Sequence, residues 1–216
     1  MKNLKKTLIS KKAAKYSLLA SAAISMLASC GKDEPDNNDP NIDETDINPD
    51  ISLTPALNAT DSVDLDINGD GIMDISVGVY NYNYSYGGVT SDVNAGTLTG
   101  LNGAEVLTVR EDFTLGGYDY YGDFAVALSE GNTISSAQSV WLDDAYLSGN
   151  GVIQNNPTQL GQFLGQDKFV GVRIQAVGNT HYAWIRMSMS EDGTNVMVKE
   201  YAYHITPNAA ITAGAK

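Results

Sequence analysis

The stretch Phe169-Val170-Gly171-Val172-Arg173-Ile174-Gln175-Ala176-Val177, then Gly178-Asn179, then His181-Tyr182-Ala183-Trp184-Ile185-Arg186-Met187-Ser188-Met189 decides the fold class. Its β-branched and aromatic residues suit a pleated, partly buried surface, and the glycine between the two runs suits a primed hairpin turn. A third run, residues 196–203, follows Asp192-Gly193. Residues 169–177, 181–189 and 196–203 are therefore predicted to form a three-stranded antiparallel meander. In the middle strand, a period of two sends His181, Ala183, Ile185, Met187 and Met189 to one face. Tyr182, Trp184, Arg186, Ser188 and Ser190 go to the other.

Upstream, turn signals recur at short intervals at Gly87-Gly88, Gly100 with Asn102-Gly103, Gly116-Gly117, Gly131-Asn132 and Gly149-Asn150-Gly151. Short runs rich in Val, Ile, Tyr and Thr separate them. Residues 51–216 are long enough to bury one core and are predicted to form a single all-β domain, an antiparallel sandwich or a partly open barrel. One segment reads otherwise. Leu160, Phe163 and Leu164 share a helical face, so a turn or two of helix is expected within residues 157–164.

Asp66-Ile67-Asn68-Gly69-Asp70-Gly71-Ile72-Met73-Asp74 carries oxygen ligands at calcium-loop spacing. Asp66, Asn68 and Asp70 fall at positions 1, 3 and 5, Gly71 turns the chain at position 6, Ile72 offers a carbonyl at position 7 and Asp74 stands at position 9. Position 12 is Val77 where an EF-hand needs glutamate, and Val63, Leu65, Ile75, Val77 and Val79 alternate with other residues, so strands flank the loop. It resembles the Asp-rich hairpins of integrin-type propeller blades and exported bacterial proteins, which implies a structural Ca²⁺ held by Asp66, Asn68, Asp70, Ile72 and Asp74. The chain has one such loop, so a propeller of repeated blades is not expected. The alternative is an Asn-Gly-Asp-Gly turn that binds no metal.

Residues 1–29 read as a signal peptide, because six lysines precede an apolar run at residues 16–27 that is short for a membrane span. Leu27-Ala28-Ser29-Cys30 resembles a bacterial lipobox, which implies lipidation of Cys30, the chain's one cysteine, and a membrane anchor. Residues 30–50, rich in Asp, Asn, Pro and Glu, are expected to be a disordered tether. Within it Lys32-Asp33-Glu34 resembles the signal that sends lipoproteins of the Bacteroidota to the outer face of the outer membrane. Removing the leader takes six of the 13 basic residues and none of the 26 acids, leaving a balance near −19. Nucleic acid is excluded as a partner, since binding it requires basic surface.

Catalytic signals are sparse. His181 and His204 lie on predicted strands with no nucleophile motif nearby, and read as structural. Asp112, Asp119, Asp123, Asp143 and Asp144 could supply the carboxylate pair of a glycan hydrolase, the alternative function, though nothing in the sequence pairs them. Tyrosines carry more. Tyr80, Tyr82, Tyr84 and Tyr86 alternate with polar residues and share one face of a strand, while Tyr118, Tyr120 and Tyr121 crowd a glycine-flanked acidic loop. Rings with a polar edge suit sugar stacking, as in calcium-braced carbohydrate-binding modules; the other reading is that tyrosine suits partly buried strands. A surface binding or structural module, with a glycan or a cell-surface protein as partner, is the expected function.

Further motifs join the opening stretch. His181-Tyr182-Ala183-Trp184-Ile185-Arg186, Glu200-Tyr201-Ala202-Tyr203, Thr206-Pro207 and Ile211-Thr212-Ala213-Gly214 together resemble a C-terminal signature of exported proteins found in flavobacteria and among PEP-CTERM proteins. Ala183 stands where that signature has glycine, and His204 where it has an acid or amide. The family carries no assigned activity. The resemblance implies a β-rich, exported, extracytoplasmic protein and nothing more.

Overall fold

A computed structural model describes residues 39–216 except 87, 116, 117 and 154. In chain order the strands are β1 (Ile42–Leu53), β2 (Ala59–Leu65), β3 (Ile75–Tyr86), β4 (Val89–Gly100), β5 (Glu105–Leu115), β6 (Tyr118–Ala125), β7 (Thr133–Ile134), β8 (Trp141–Leu142), β9 (Asp144–Ile153), β10 (Asn156–Gly161), β11 (Asp167–Ala176), β12 (Asn179–Met189), β13 (Val196–His204) and β14 (Ile211–Thr212). The expected all-β class holds. The meander is present as β11, β12 and β13, with β1 on its outer edge.

Two layers share one strand. The first runs β1-β13-β12-β11 and ends on β5 at Glu105 and Val106; from Thr108 onward β5 pairs instead with β6. The second layer is β2-β3-β4-β9, with β10 beyond β9 and β6 touching β9 at a single parallel pair, Phe124 with Tyr146. The continuous path curls into a nearly closed, barrel-like sandwich. Alternation decides what fills it. Ile75, Val77 and Val79 of β3, Leu98 of β4 and Leu147 of β9 face Val170, Val172, Ala183, Ile185, Met187 and Val198 of the first layer, all fully buried.

The other face of the first layer is also covered. Residues 126–142 and 205–216, joined by the Ile134–Ile211 pairing of β7 with β14, close over Tyr182, Trp184, Phe169 and Ala202. Beside this cover, Arg186 pairs through two nitrogens with Asp167 and through Nη1 with Glu200, both at 3.0 Å, and Lys199 and Lys216 complete a network with the same acids. Burial raises the affinity of the Glu200 carboxyl for its proton. Hydrogen bonds from Lys216 and Arg186 outweigh it and hold the group below the usual range.

Three expectations need correction. The disordered tether does not extend to residue 50, because residues 42–50 belong to β1. An edge strand pairs through its backbone and tolerates acids and proline, and Pro49 falls where the ladder to β13 breaks between Asp46 and Ile51. Residues 31–38 and Cys30, with the whole leader, lie outside the described residues. No helix forms within 157–164. Residues 156–161 are β10, pairing residue by residue with β9, and the backbone bonds of that hairpin override the short apolar spacing.

The β11–β12 turn sits one residue earlier than expected. Ala176 faces Asn179, so Val177 and Gly178 are the loop residues, with φ of 50° and 77°. Val177 is fully exposed, and a β-branched residue in the left-handed region is strained. Val177→Asn is expected to stabilise the protein by about 1 kcal/mol, read as a rise in the urea midpoint at unchanged slope. An unchanged midpoint would refute the strain.

Candidate functional site

A groove opens where β6 leaves the second layer. Beyond its single pair with β9, the β5–β6 hairpin diverges and becomes a wall, while β3, β4 and β9 form the floor. Cross-strand register explains the depression. Tyr80 faces Ala95, Ala95 faces Gly149 and Gly149 faces Leu160, so the middle of this row carries almost no side chain. Phe113, Tyr121 and Phe124 line it from the hairpin, and Tyr146 rises from β9. Its volume is about 220 Å³. A second depression of about 420 Å³ shares Tyr80, Tyr121, Gly122 and Tyr146 and adds Thr97, Thr99, Asp123 and Asp144.

The rings are held in place. Phe124 and Tyr146 lie 5.9 Å apart, Phe113 stacks on Tyr120 at 6.0 Å, and the Arg110 guanidinium sits 4.3 Å from the centre of the Tyr121 ring. Arg110 also binds both oxygens of Asp123, at 3.0 and 2.9 Å. Tyr121 and Tyr146 nonetheless remain exposed, at 64% and 44%. Burial, with the neighbouring Tyr146, pushes the Tyr80 phenol up to about 12; like any tyrosine at neutral pH it carries its proton and can donate a hydrogen bond.

Of the tyrosines singled out in the sequence, Tyr80 is in the groove and Tyr82 adjoins it, ring centres 5.8 Å apart. Tyr84 is exposed farther along β3, and the side chain of Tyr86 lies outside the described set. Tyr118 is exposed and Tyr120 packs on Phe113; neither lines the groove. Tyr146 was missed by the sequence reading. The signal was its outward position between buried Ala145 and Leu147, where an exposed aromatic calls for explanation. Of the acids weighed for catalysis, Asp123 and Asp144 reach the second depression, while Asp119 accepts from Thr114 Oγ1 at 2.9 Å. Both histidines are tied to the backbone: His181 Nδ1 donates to the His204 carbonyl at 2.9 Å, and the Thr206 amide donates to His204 Nδ1 at 3.1 Å.

The Asp-rich loop joins β2 to β3 at the start of β3, the end toward which the second depression runs, since Thr99 there pairs with Ser76. Gly69 and Gly71, with φ of 71° and 87°, let the chain wrap, and the side chains fasten it. The amides of Gly69 and Gly71 donate to the Asp66 carboxylate at 2.8 Å, that of Asp70 to Asn68 Oδ1 at 2.9 Å, that of Ile72 to Asp70 Oδ1 at 2.8 Å and that of Ile67 to Asp74 Oδ2 at 2.8 Å. Asp74 is 4% exposed. Burial raises its affinity for a proton, the Ile67 amide opposes this, and the charges of Asp70 and Asp66 add to the rise. No ion pair among the described residues reaches Asp66, Asp70 or Asp74. As placed, no three Asp, Glu, His or Cys side chains among the described residues gather at metal-binding spacing. The donor set is nonetheless all oxygen, two of its members being the Asn68 amide and the Ile72 carbonyl, and a buried carboxylate without a cationic partner suits a hard cation.

Comparison of the chain with protein-family models, with curated proteins and with solved structures finds no match in any of the three.

Proposed function

We propose that this protein is an exported, lipid-anchored binding module that holds a glycan in the ring-lined groove of its second layer. The observation that carries the reading is the groove itself, with exposed Tyr121 and Tyr146 above a floor emptied by Ala95 and Gly149. A sugar presents apolar C–H faces and polar edges. Tyrosine rings match the faces, and the hydroxyls of Thr97, Thr99 and Thr158 are placed to meet those of the sugar. The leader and Cys30 support the anchor, and outer-membrane placement follows from the lipobox and the acids after it. In this reading calcium, held by Asp66, Asn68, Asp70, Ile72 and Asp74, braces the β2–β3 hairpin, near the Thr99 end of the second depression and away from Tyr80. About five residues of strand, roughly 17 Å, separate the loop from Tyr80.

Hydrolysis by a carboxylate pair is the weaker reading. Asp123 and Asp144 share the second depression, but both oxygens of Asp123 already accept from Arg110, and the rings of the groove find no use in that reading.

Tyr146→Ala is expected to weaken glycan retention about tenfold, the effect of one well-placed stacking ring. Affinity electrophoresis through gels containing soluble polysaccharides measures it. A wild-type protein retarded by no polysaccharide, or a Tyr146→Ala protein retarded as strongly as wild type, overturns the proposal.

A further inference from the structure

We propose that the ligand is an uncharged linear chain which extends out of the groove along β3, with Tyr82 and Tyr84 as outer subsites. This rests on the glycan reading of the groove and adds the size and charge of what it takes.

The register makes the track continuous. Tyr82 stands opposite Val93, which lines the groove, and its ring meets the edge of Tyr80 at 5.8 Å. Tyr84 is the next residue on the same face, opposite Ser91. Alternate residues of a strand are about 6.8 Å apart, so Tyr80 to Tyr84 covers roughly 14 Å of surface. Tyr82 and Tyr84 are 52% and 60% exposed, more than packing against the sheet requires. With the second depression on the far side of Tyr146, the aromatic surface is too long for one sugar ring and is open at both ends. Such a surface fits the interior of a chain.

Charge selects among chains. Among the described residues no lysine or arginine lines either depression, and Arg110, beside Tyr121, pairs with Asp123. Asp123 and Asp144 line the second depression, and the whole chain carries a formal charge of −13. A uronate or sulfated polymer would bring like charge against this surface without a cation to meet it. A neutral chain has no such cost.

The test uses isothermal titration calorimetry with neutral linear gluco-, xylo- and manno-oligosaccharides from disaccharide to octasaccharide, and with oligogalacturonates of the same lengths. Wild type is expected to bind one neutral series with affinity that rises with length, and to bind the oligogalacturonates at least tenfold more weakly. Tyr84→Ala is expected to lower affinity roughly three- to tenfold for the longest oligomers while leaving the shortest unchanged. Gly149→Leu fills the floor where an added Cβ already touches Ala95 at 3.7 Å, and should abolish binding at every length in a protein whose circular dichroism is unchanged. Affinity that saturates at the disaccharide, an unaffected Tyr84→Ala, or preference for oligogalacturonate overturns the extended neutral track while the groove stands. Binding that survives Gly149→Leu, or no binding to any oligosaccharide, overturns the groove as well.

Discussion

Trp184→Ala is expected to lower the free energy of unfolding by about 3–5 kcal/mol, the range for deleting a large buried aromatic side chain. Trp184 is fully buried, its ring meets Phe169 edge-on at 5.2 Å, and it lies beneath the cover formed by residues 126–142 and 205–216. The cavity would open on the outer face of the first layer, leaving Ile185 and Val172 in the central core untouched. Trp184→Phe is expected to cost less than about 1.5 kcal/mol. It keeps most of the ring and removes the indole Nε1, which has no hydrogen-bond partner among the described residues. Urea unfolding of both variants distinguishes the two effects. A loss below 1 kcal/mol in the alanine variant would mean that the cover contributes little to stability, contrary to the packing.

The meander was legible because β12 alternates from Ile185 to Met189 between Gly-containing turns, and because Ala183, Trp184 and Ile185 are apolar on both faces, as a strand buried on both sides requires. Edges were less legible. Nothing in Asp43, Glu44, Asp46 or Pro49 favours a strand, and β1 exists because β13 offers it a ladder of backbone partners. For β10 the same holds: Pro157 to Gln159 carry no periodic signal, and pairing with Val152, Gly151 and Asn150 is a tertiary fact.

The groove was legible only in part. Tyr80 and Tyr82 announced themselves by alternation within one strand. The wall residues Phe113, Tyr121 and Phe124 come from a hairpin that meets the floor at one residue pair, and no local pattern encodes that meeting. The emptiness of the floor was equally hidden. Ala95 and Gly149 are far apart in the chain, and their shared row depends on the β4–β9 register, which shifts at Gly96. The Asp-rich loop is the opposite case, since its acids, its glycine turns and the starts of its flanking strands lie close together in the chain, so its wrapped backbone follows from local spacing.

Calcium is expected to raise the melting temperature of wild-type protein, and chelation to lower it again. Loops of extracellular modules bind calcium with dissociation constants on the order of 10⁻⁴ to 10⁻³ M. At ten times that constant the stabilisation is about 1.4 kcal/mol, and at a hundred times about 2.7 kcal/mol. In a domain of this size, each kcal/mol moves the midpoint by roughly 2–4 °C. Asp70→Ala should abolish the response and leave a folded protein, because Asp70 is exposed and its carboxylate, among the described residues, accepts from the Ile72 amide alone. Asp74→Asn should behave differently. The amide oxygen can still accept from Ile67, but the buried charge beside Asp66 and Asp70 is gone, so this variant should exceed wild type in stability under chelation and lose the calcium response. Scanning calorimetry of the three proteins, with calcium and with EDTA, gives the answer. Wild-type melting that ignores calcium, together with an Asp74→Asn protein that still melts higher, would show a turn built on a destabilising carboxylate and no metal site.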